Sequence, residues 1–417
     1  MTIKNPKRGK GNKMDKAIET VVEDQFIQSK AKISVLGIGG AGGNAINNMI
    51  KAGLDGVQFV AANTDFQVLE RNLAPVKIQL GVNLTKGLGA GGNPEVGAKA
   101  AQEDLDKIRA AVDGSDMVFI TAGLGGGTGT GGAPIAAQAC KEAGALTVAV
   151  VTKPFNVEGR VRQSNADSGL KSLEEVVDTL ITIPNNRLLC LADRRATFLE
   201  MIKRADDVLL YAVKGISDLI IKEGYINVDF NDVKTVMGEM GLALMGTGVG
   251  TGENRASQAV QQAISSPLLE DISIHGARAA LVNISAGPDL GMHEFEEALS
   301  IIQKEVNEDA HLILGVVMDE NMEDEIRVTV IATGIGRVDQ TQRIDTTRPK
   351  RIKPEGIVPE LNYDYLQIPT VVRHRSGREA PVQEPQPRKR TFLQKLTGAA
   401  TDEEDLNIPT FIRRQAD

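Results

Sequence analysis

Tryptophan is missing, aromatic residues make up 3% of the 417, and cysteine and histidine number two and four. Two cysteines cannot build a disulfide framework. Cys140 and Cys190 also lack the paired spacing of a zinc site, so both read as idle thiols of a reducing compartment. His275, His293, His311 and His374 fall in no motif and read as structural or surface residues. No apolar run attains the ~20 residues that a membrane-spanning helix needs. The opening segment is rich in Lys and Arg but lacks the hydrophobic stretch of a secretory signal. Cations are the scarcer charge, 47 Lys and Arg against 55 Asp and Glu, and the resulting −8 argues against a general nucleic-acid binder. These absences leave a cytoplasmic protein long enough for two domains with flanking segments.

Glycine is the opposite case, with 43 residues, many of them in three clusters. Residues 121–132, Thr-Ala-Gly-Leu-Gly-Gly-Gly-Thr-Gly-Thr-Gly-Gly, follow the apolar run Met117, Val118, Phe119, Ile120 and precede a helical stretch from Ala133 to Ala143. A strand that ends in glycines and turns into a helix holds phosphate, because backbone N–H groups converge where the helix adds partial positive charge. Thr128 and Thr130 add hydroxyl donors with little bulk. No Gly-Lys-Ser/Thr follows, so this is not a Walker loop, and backbone rather than lysine carries the anion. A flexible linker would not sit between a strand and a helix. An earlier strand, Lys32 to Leu36, runs into a loop whose Gly37, Gly39 and Gly42 fit the dinucleotide fingerprint, with Asp65 near the place of a ribose-binding acid. Taken alone, that loop favours a dehydrogenase. A third loop, Gly87 to Pro94, opens another helix at Glu95. Three such loops suit a triphosphate better than a dinucleotide pyrophosphate.

From 31 to about 184 the pattern alternates, with strands at 33–38, 57–61, 116–121, 146–152 and 178–183 and helices at 45–52, 95–111, 133–143 and 160–176. Continuous apolar strands of this kind imply a doubly wound parallel sheet with ligands at the strand C-terminal ends. Residues 197–222 read as one amphipathic helix, about 40 Å long at about 1.5 Å per residue. It leads to a second α/β unit from Gly241 to about Gly336, with strands at 277–285, 311–318 and 326–332 and a helix at 292–306. Residues 338–401 are rich in Pro, Arg, Gln and Thr and read as a disordered linker. Within it, Tyr365 to Arg373 parallels Asp405 to Arg413, which reads as a partial second docking peptide or as coincidence in a biased tract. The basic-apolar stretch Arg388 to Leu396 reads as solvated linker.

The Gly-Gly-Gly-Thr-Gly-Thr-Gly core at 125–131 resembles the tubulin signature. Four further motifs accompany it: Gly39-Gly40-Ala41-Gly42-Gly43-Asn44, Ala62-Asn63-Thr64-Asp65, Asn227-Val228-Asp229-Phe230-Asn231-Asp232 and Ile408 to Gln415. Together they make the chain similar to the FtsZ family of bacterial cell-division GTPases, over about 31–337 and again at 402–417. The resemblance implies a tubulin-like α/β fold. Its parts would be a disordered arm (1–30), a Rossmann-type parallel-sheet GTP-binding domain (31–196), a central helix (197–222) and a smaller α/β activation domain (223–337). The disordered linker (338–401) and a partner-binding peptide (402–417) would follow.

The resemblance also implies GTP/GDP and Mg²⁺ as ligands. The phosphates would fall on Gly39, Gly40 and Ala41, on Ala90, Gly91 and Gly92, and on Gly125, Gly126, Gly127, Thr128, Gly129 and Thr130. Asn63 and Asp65 would stand beside them. Asp65 is a candidate for Mg²⁺, though no residue is named as its ligand. Glu158 would bond the ribose, and Arg162 the ribose or γ-phosphate; the pair also has the spacing of a surface ion pair. Asp206 would read guanine, whose N1–H and N2–H₂ donors suit a carboxylate, with Asn44 as its amide partner. Ala41 stands where the family usually has glycine. Ile202 replaces a base-stacking aromatic, a loss of roughly 1–3 kcal/mol.

Hydrolysis would rest on Asn227, Asp229 and Asp232, which lie at the far end of the long helix and would act on the next subunit's nucleotide. Otherwise Asp229 or Asp232 caps the following helix. A head-to-tail contact does not close, so copies of the chain would form filaments. The implied partners are itself, membrane-tether division proteins of the FtsA and ZipA kind through 402–417, and assembly regulators. The implied place is the mid-cell division ring on the inner face of the membrane. A Rossmann dehydrogenase and a non-polymerising nucleotide-binding adaptor are the competing readings.

Overall fold

Strands covered on both faces are apolar at nearly every position, and the parallel half of this sheet is built from such segments. The computed structural model describes residues 31–335, apart from 192–194, 223, 225, 227, 239–240, 270–276, 307–309 and 321. The arm, the linker, both docking-peptide copies, the stretch 388–396 and Asn227 lie outside the described residues. The strands are β1 (Ile33–Ile38), β2 (Val57–Asn63), β3 (Val76–Gln79), β4 (Met117–Gly123), β5 (Leu146–Lys153), β6 (Thr179–Pro184), β7 (Gly241–Thr251), β8 (Ala279–Ala286), β9 (His311–Met318) and β10 (Glu325–Ile335). They form one sheet in the order β3-β2-β1-β4-β5-β6-β7-β10-β8-β9. Every pairing from β3 to β7 is parallel, β10 is antiparallel to both β7 and β8, and β8–β9 is parallel again.

The longer helices are α1 (Gly39–Lys51), α2 (Pro94–Glu103), α3 (Leu105–Val112), α4 (Thr128–Glu142), α5 (Arg160–Glu174), α6 (Phe198–Ile221), α7 (Phe230–Gly238), α8 (Arg255–Ile264) and α9 (Met292–Glu305). Neighbouring residues of β4 serve opposite cores: Met117 and Phe119 join the core that α6 covers, Val118 and Ile120 the one under α4. The α6 core runs on to β8 and β9, so this helix lies along one face of both halves of the sheet. It starts at a capping box, in which Thr197 N–H donates to Glu200 Oε2 (2.7 Å) and Glu200 N–H to Thr197 Oγ1 (3.3 Å).

Several elements differ from the sequence expectation, among them strand β3, which the sequence reading did not include. The helices expected from 45 and 133 begin at Gly39 and Thr128, because the glycine loops already have helical backbone and form the first turn. The single helix expected over 95–111 is two. Asp104 leaves helical geometry (φ −110°, ψ 25°), and its carboxylate instead accepts from Gly81 N–H at 2.7 Å and pairs with Lys107 at 2.6 Å. Strand β7 and helix α8 were not expected at all. Gly246, Gly248 and Gly250 lie along one face of β7, where an added Cβ would collide with the Ala263, Ala259 and Arg255 carbonyls. The absent side chains that hide the strand in sequence let α8 lie directly on it. Arg255, buried at the start of α8, then ties it to α9 and its loop through Glu294 (2.7 Å) and Asp289 (2.7 Å).

Candidate functional site

Adjacent parallel strands β1 and β4 end side by side, and their chains continue into α1 and α4. The N-termini of these helices therefore point their free N–H groups at the same space. The two loops meet backbone to backbone: a Cβ on Gly39, whose φ is +74°, would come within 2.9 Å of Gly129 N. Ala41 fits without strain, since it lies in the first turn of α1 and Lys86 is the one non-glycine with positive φ among the described residues. Its methyl occupies the room left by Gly123, whose own Cβ would fall 2.5 Å from it. The Gly87–Pro94 loop backs onto the loop after β4, with a Cβ on Gly127 reaching 2.8 Å from the Ala90 methyl and 3.0 Å from Asn93 N.

Between the loops after β1 and β4 lies a cavity of about 460 Å³, which no residue of the Gly87–Pro94 loop lines. Gly40, Ala41, Asn44, Gly126, Gly127, Thr128, Gly129, Glu158 and Arg162 line it, as the sequence led us to expect of them, and Ile202 of α6 closes one side. The remaining candidates stand around it. Gly39 and Gly125 form the loop bends behind the wall, with φ of +74° and +100°. Thr130 is buried and its hydroxyl accepts from Gly125 N–H at 2.8 Å, so it braces the loop from within. Ala90 is buried behind Gly127, while Gly91 and Gly92 have open space around them.

Asn63 is buried and its Oδ1 accepts from Asp65 N–H at 3.2 Å. Asp65 in turn uses Oδ1 to cap the short helix Phe66–Glu70, accepting from Gln67 N–H (2.9 Å) and Val68 N–H (3.2 Å). A dehydrogenase would need that carboxylate for its ribose. Glu158 accepts from Phe155 N–H (2.9 Å) and pairs with Arg162 (2.8 Å), which fixes both while they face the cavity. Asp206 sits one turn beyond Ile202 on α6. Burial, reinforced by the neighbouring charge of Asp207, pushes its carboxyl from 3.8 up to about 7. Asp207 is held by Asn48 Nδ2 at 2.9 Å, one turn along α1 from Asn44.

Sequence reasoning passed over Gly123, Leu124, Thr152, Pro154 and Asn185, which also line the cavity. Asn185 is the most informative of them, because it is buried and its Oδ1 has no hydrogen-bond partner. It follows the end of β6, and the rule that ligands bind at the carboxyl ends of parallel strands could have found it.

The acids at 229 and 232 are elsewhere. At about 1.5 Å per residue, Ile202 and Ile221 are roughly 28 Å apart along α6, and these acids come after Ile221. Ile226 bridges to Val316 of β9, which fixes the segment at that far end. Asp229 caps α7, its Oδ1 accepting from Asp232 N–H at 2.7 Å. Asp232 is exposed in the first turn of α7, and its carboxylate has no hydrogen-bond partner among the described residues. Of the thiols, Cys140 is buried and burial pushes it up to about 12, whereas Cys190 is exposed. Among the described residues no helix is long and apolar enough to cross a membrane, and no cluster of His, Cys, Asp and Glu could hold a metal.

Comparison with known proteins matches residues 32–193 to the Tubulin/FtsZ family, GTPase domain, and residues 241–336 to the FtsZ family, C-terminal domain. Cell division protein FtsZ of Pseudomonas putida is 49% identical over 401 residues, covering 92% of this chain and 97% of its own. Its counterpart from Coxiella burnetii is 50% identical over 385 residues, covering 92% and 96%. Among solved structures, an empty FtsZ dimer from M. jannaschii matches with a TM-score of 0.71 at 47% identity, covering 78% of this chain and 92% of that one. CetZ2 from Haloferax volcanii, a GTPγS-bound protofilament, shares the fold with a TM-score of 0.63 at 24% identity, covering 75% and 96%.

Proposed function

This chain belongs to the FtsZ family of tubulin-like GTPases, and we propose that it hydrolyses GTP at a site completed by the next copy of itself in a head-to-tail filament. The nucleotide occupies the cavity between the glycine loops that follow β1 and β4. Backbone N–H groups of Gly40, Ala41 and Gly126–Gly129 take the phosphates, joined by the Thr128 hydroxyl and the Arg162 guanidinium. Glu158 orients the ribose. Asn44 and the ionised Asp206 face the guanine edge, and Asn185 offers its unpaired oxygen to a ligand donor. Mg²⁺ enters with the triphosphate, to which the chain adds at most the uncapped oxygen of Asp65.

The observation that carries this reading is separation. The one acid lining the cavity is Glu158, which is engaged by Phe155 N–H and Arg162, while Asp232, beyond the other end of α6, has no carboxylate partner among the described residues. Stacking two copies brings Asp232, with Asn227 and the helix-capping Asp229, over the neighbour's nucleotide to orient the attacking water. Each contact completes one reaction centre, so assembly switches on hydrolysis and loss of the γ-phosphate weakens the contact. GTPase rate per subunit should rise steeply with protein concentration, as read by phosphate release across a dilution series. A rate per subunit that stays flat on dilution would refute the shared site. The acidic, apolar and basic peptide 402–417 docks on membrane tethers of the FtsA and ZipA kind, or on assembly regulators, by ordering on their surface. That contact places the filament at mid-cell on the inner face of the membrane.

A further inference from the structure

We propose that Thr64 is a positioning residue that turns the Thr128 hydroxyl proton toward a phosphate oxygen of the nucleotide; this rests on the cavity being the nucleotide site. Thr64 directly follows β2 and is fully buried. Its backbone is pinned by the Gly87–Pro94 loop, since its carbonyl accepts from Gly89 N–H at 3.3 Å. Its side-chain oxygen lies 2.6 Å from Thr128 Oγ1, and this is its one side-chain partner among the described residues.

The geometry of the two oxygens leaves the proton direction open, but their surroundings decide it. A buried hydroxyl that does not donate forfeits the full desolvation penalty of its proton. Thr64 has no other acceptor, so it donates to Thr128. Thr128 then accepts from Thr64, and its own proton is released to point elsewhere. As the first residue of α4 it has no preceding helical turn to offer a carbonyl, and the space it faces is the cavity. A hydroxyl oriented in advance as a donor loses less on binding an anion than one that must first reorient. Through Thr64, the position of the Gly87–Pro94 loop also sets the Thr128 donor of the loop after β4.

The test is GTP binding by the full chain, diluted below its assembly threshold, with Thr64→Val, Thr64→Ser, Thr128→Val and the double valine variant. Thr64→Val should weaken binding about tenfold, the value of one neutral hydrogen bond. Thr64→Ser, which keeps the hydroxyl, should stay within about twofold of the native chain. The double variant should bind no more weakly than Thr128→Val alone, because the Thr64 proton has no task once its acceptor is gone. Effects of Thr64→Val and Thr128→Val that multiply would overturn the proposal. So would native affinity in Thr64→Val, and Thr64→Ala repeats the measurement should the valine overpack. A Gly127→Val control separates the two readings. Unchanged GTP binding there removes the nucleotide from this cavity and the inference with it. Weakened binding there, beside an unaffected Thr64→Val, removes the inference alone.

Discussion

Asp206 combines a cost in the empty protein with a use in the loaded one. Its carboxyl titrates near 7 in the folded chain, against an ordinary 3.8. Between those values the unfolded state releases a proton that the folded state keeps. Stability from this group is therefore full below about pH 4 and is lost as pH climbs toward 7. Asp206→Asn removes the loss and should raise the melting temperature of nucleotide-free protein by about 2–4 °C at neutral pH, with no gain near pH 4. Guanine needs the ionised form, so GTP affinity of the native chain should rise between about pH 6 and pH 8, while that of Asp206→Asn should be lower and flat. Calorimetry across that range checks both halves. Asp206 was named through the family resemblance and its place in the long helix, with no local motif around it. Asn185 was missed although it follows a parallel strand, because the strand-end rule marks a place and not a residue, and its unpaired oxygen exists only in three dimensions. Thr130 shows the reverse: a hydroxyl within the motif that the fold spends on Gly125 rather than on ligand.

Elements were legible wherever burial wrote itself into composition. The apolar runs of β1, β4 and β5 and the capped amphipathic α6 appear where the sequence puts them. Strand β7 has the opposite character, because its alternate glycines belong to the helix packed on it rather than to the strand. Gly248→Val should therefore lower unfolding free energy by about 1–3 kcal/mol, the cost of an overpacked contact, since its Cβ meets the Ala259 carbonyl and α8 must lift away. GTP binding by dilute protein should be unchanged, because the cavity lies at the other half of the sheet. Denaturant melts paired with nucleotide titration separate the two effects. The break at Asp104 was illegible for a similar reason: the residue that ends α2 does so by serving Gly81, far away in sequence. The helix starts at 39 and 128 were misplaced because glycine suggests loop, whereas here it supplies close approach within the first turn.

At the scale of the molecule, α6 holds the two halves of the chemistry apart. Its contacts run from α1 and β5, beside the nucleotide cavity, to β8 and β9, beside the acids. This helix of 24 residues keeps the cavity and the acids of one copy apart, so under the proposed mechanism no single copy holds a complete centre. In the sequence, helix length gave the separation and the family resemblance the role of the acids; that a head-to-tail neighbour completes the site is the proposal. The decisive measurement mixes two variants, each inactive by itself. Asp232→Ala keeps an intact cavity and lacks the acid, and Gly127→Val keeps the acid and has a disrupted cavity. Phosphate release from the mixture should reappear at a substantial fraction of the native rate, because Asp232 of one variant faces GTP held by the other. A mixture no more active than its separate parts would contradict the account.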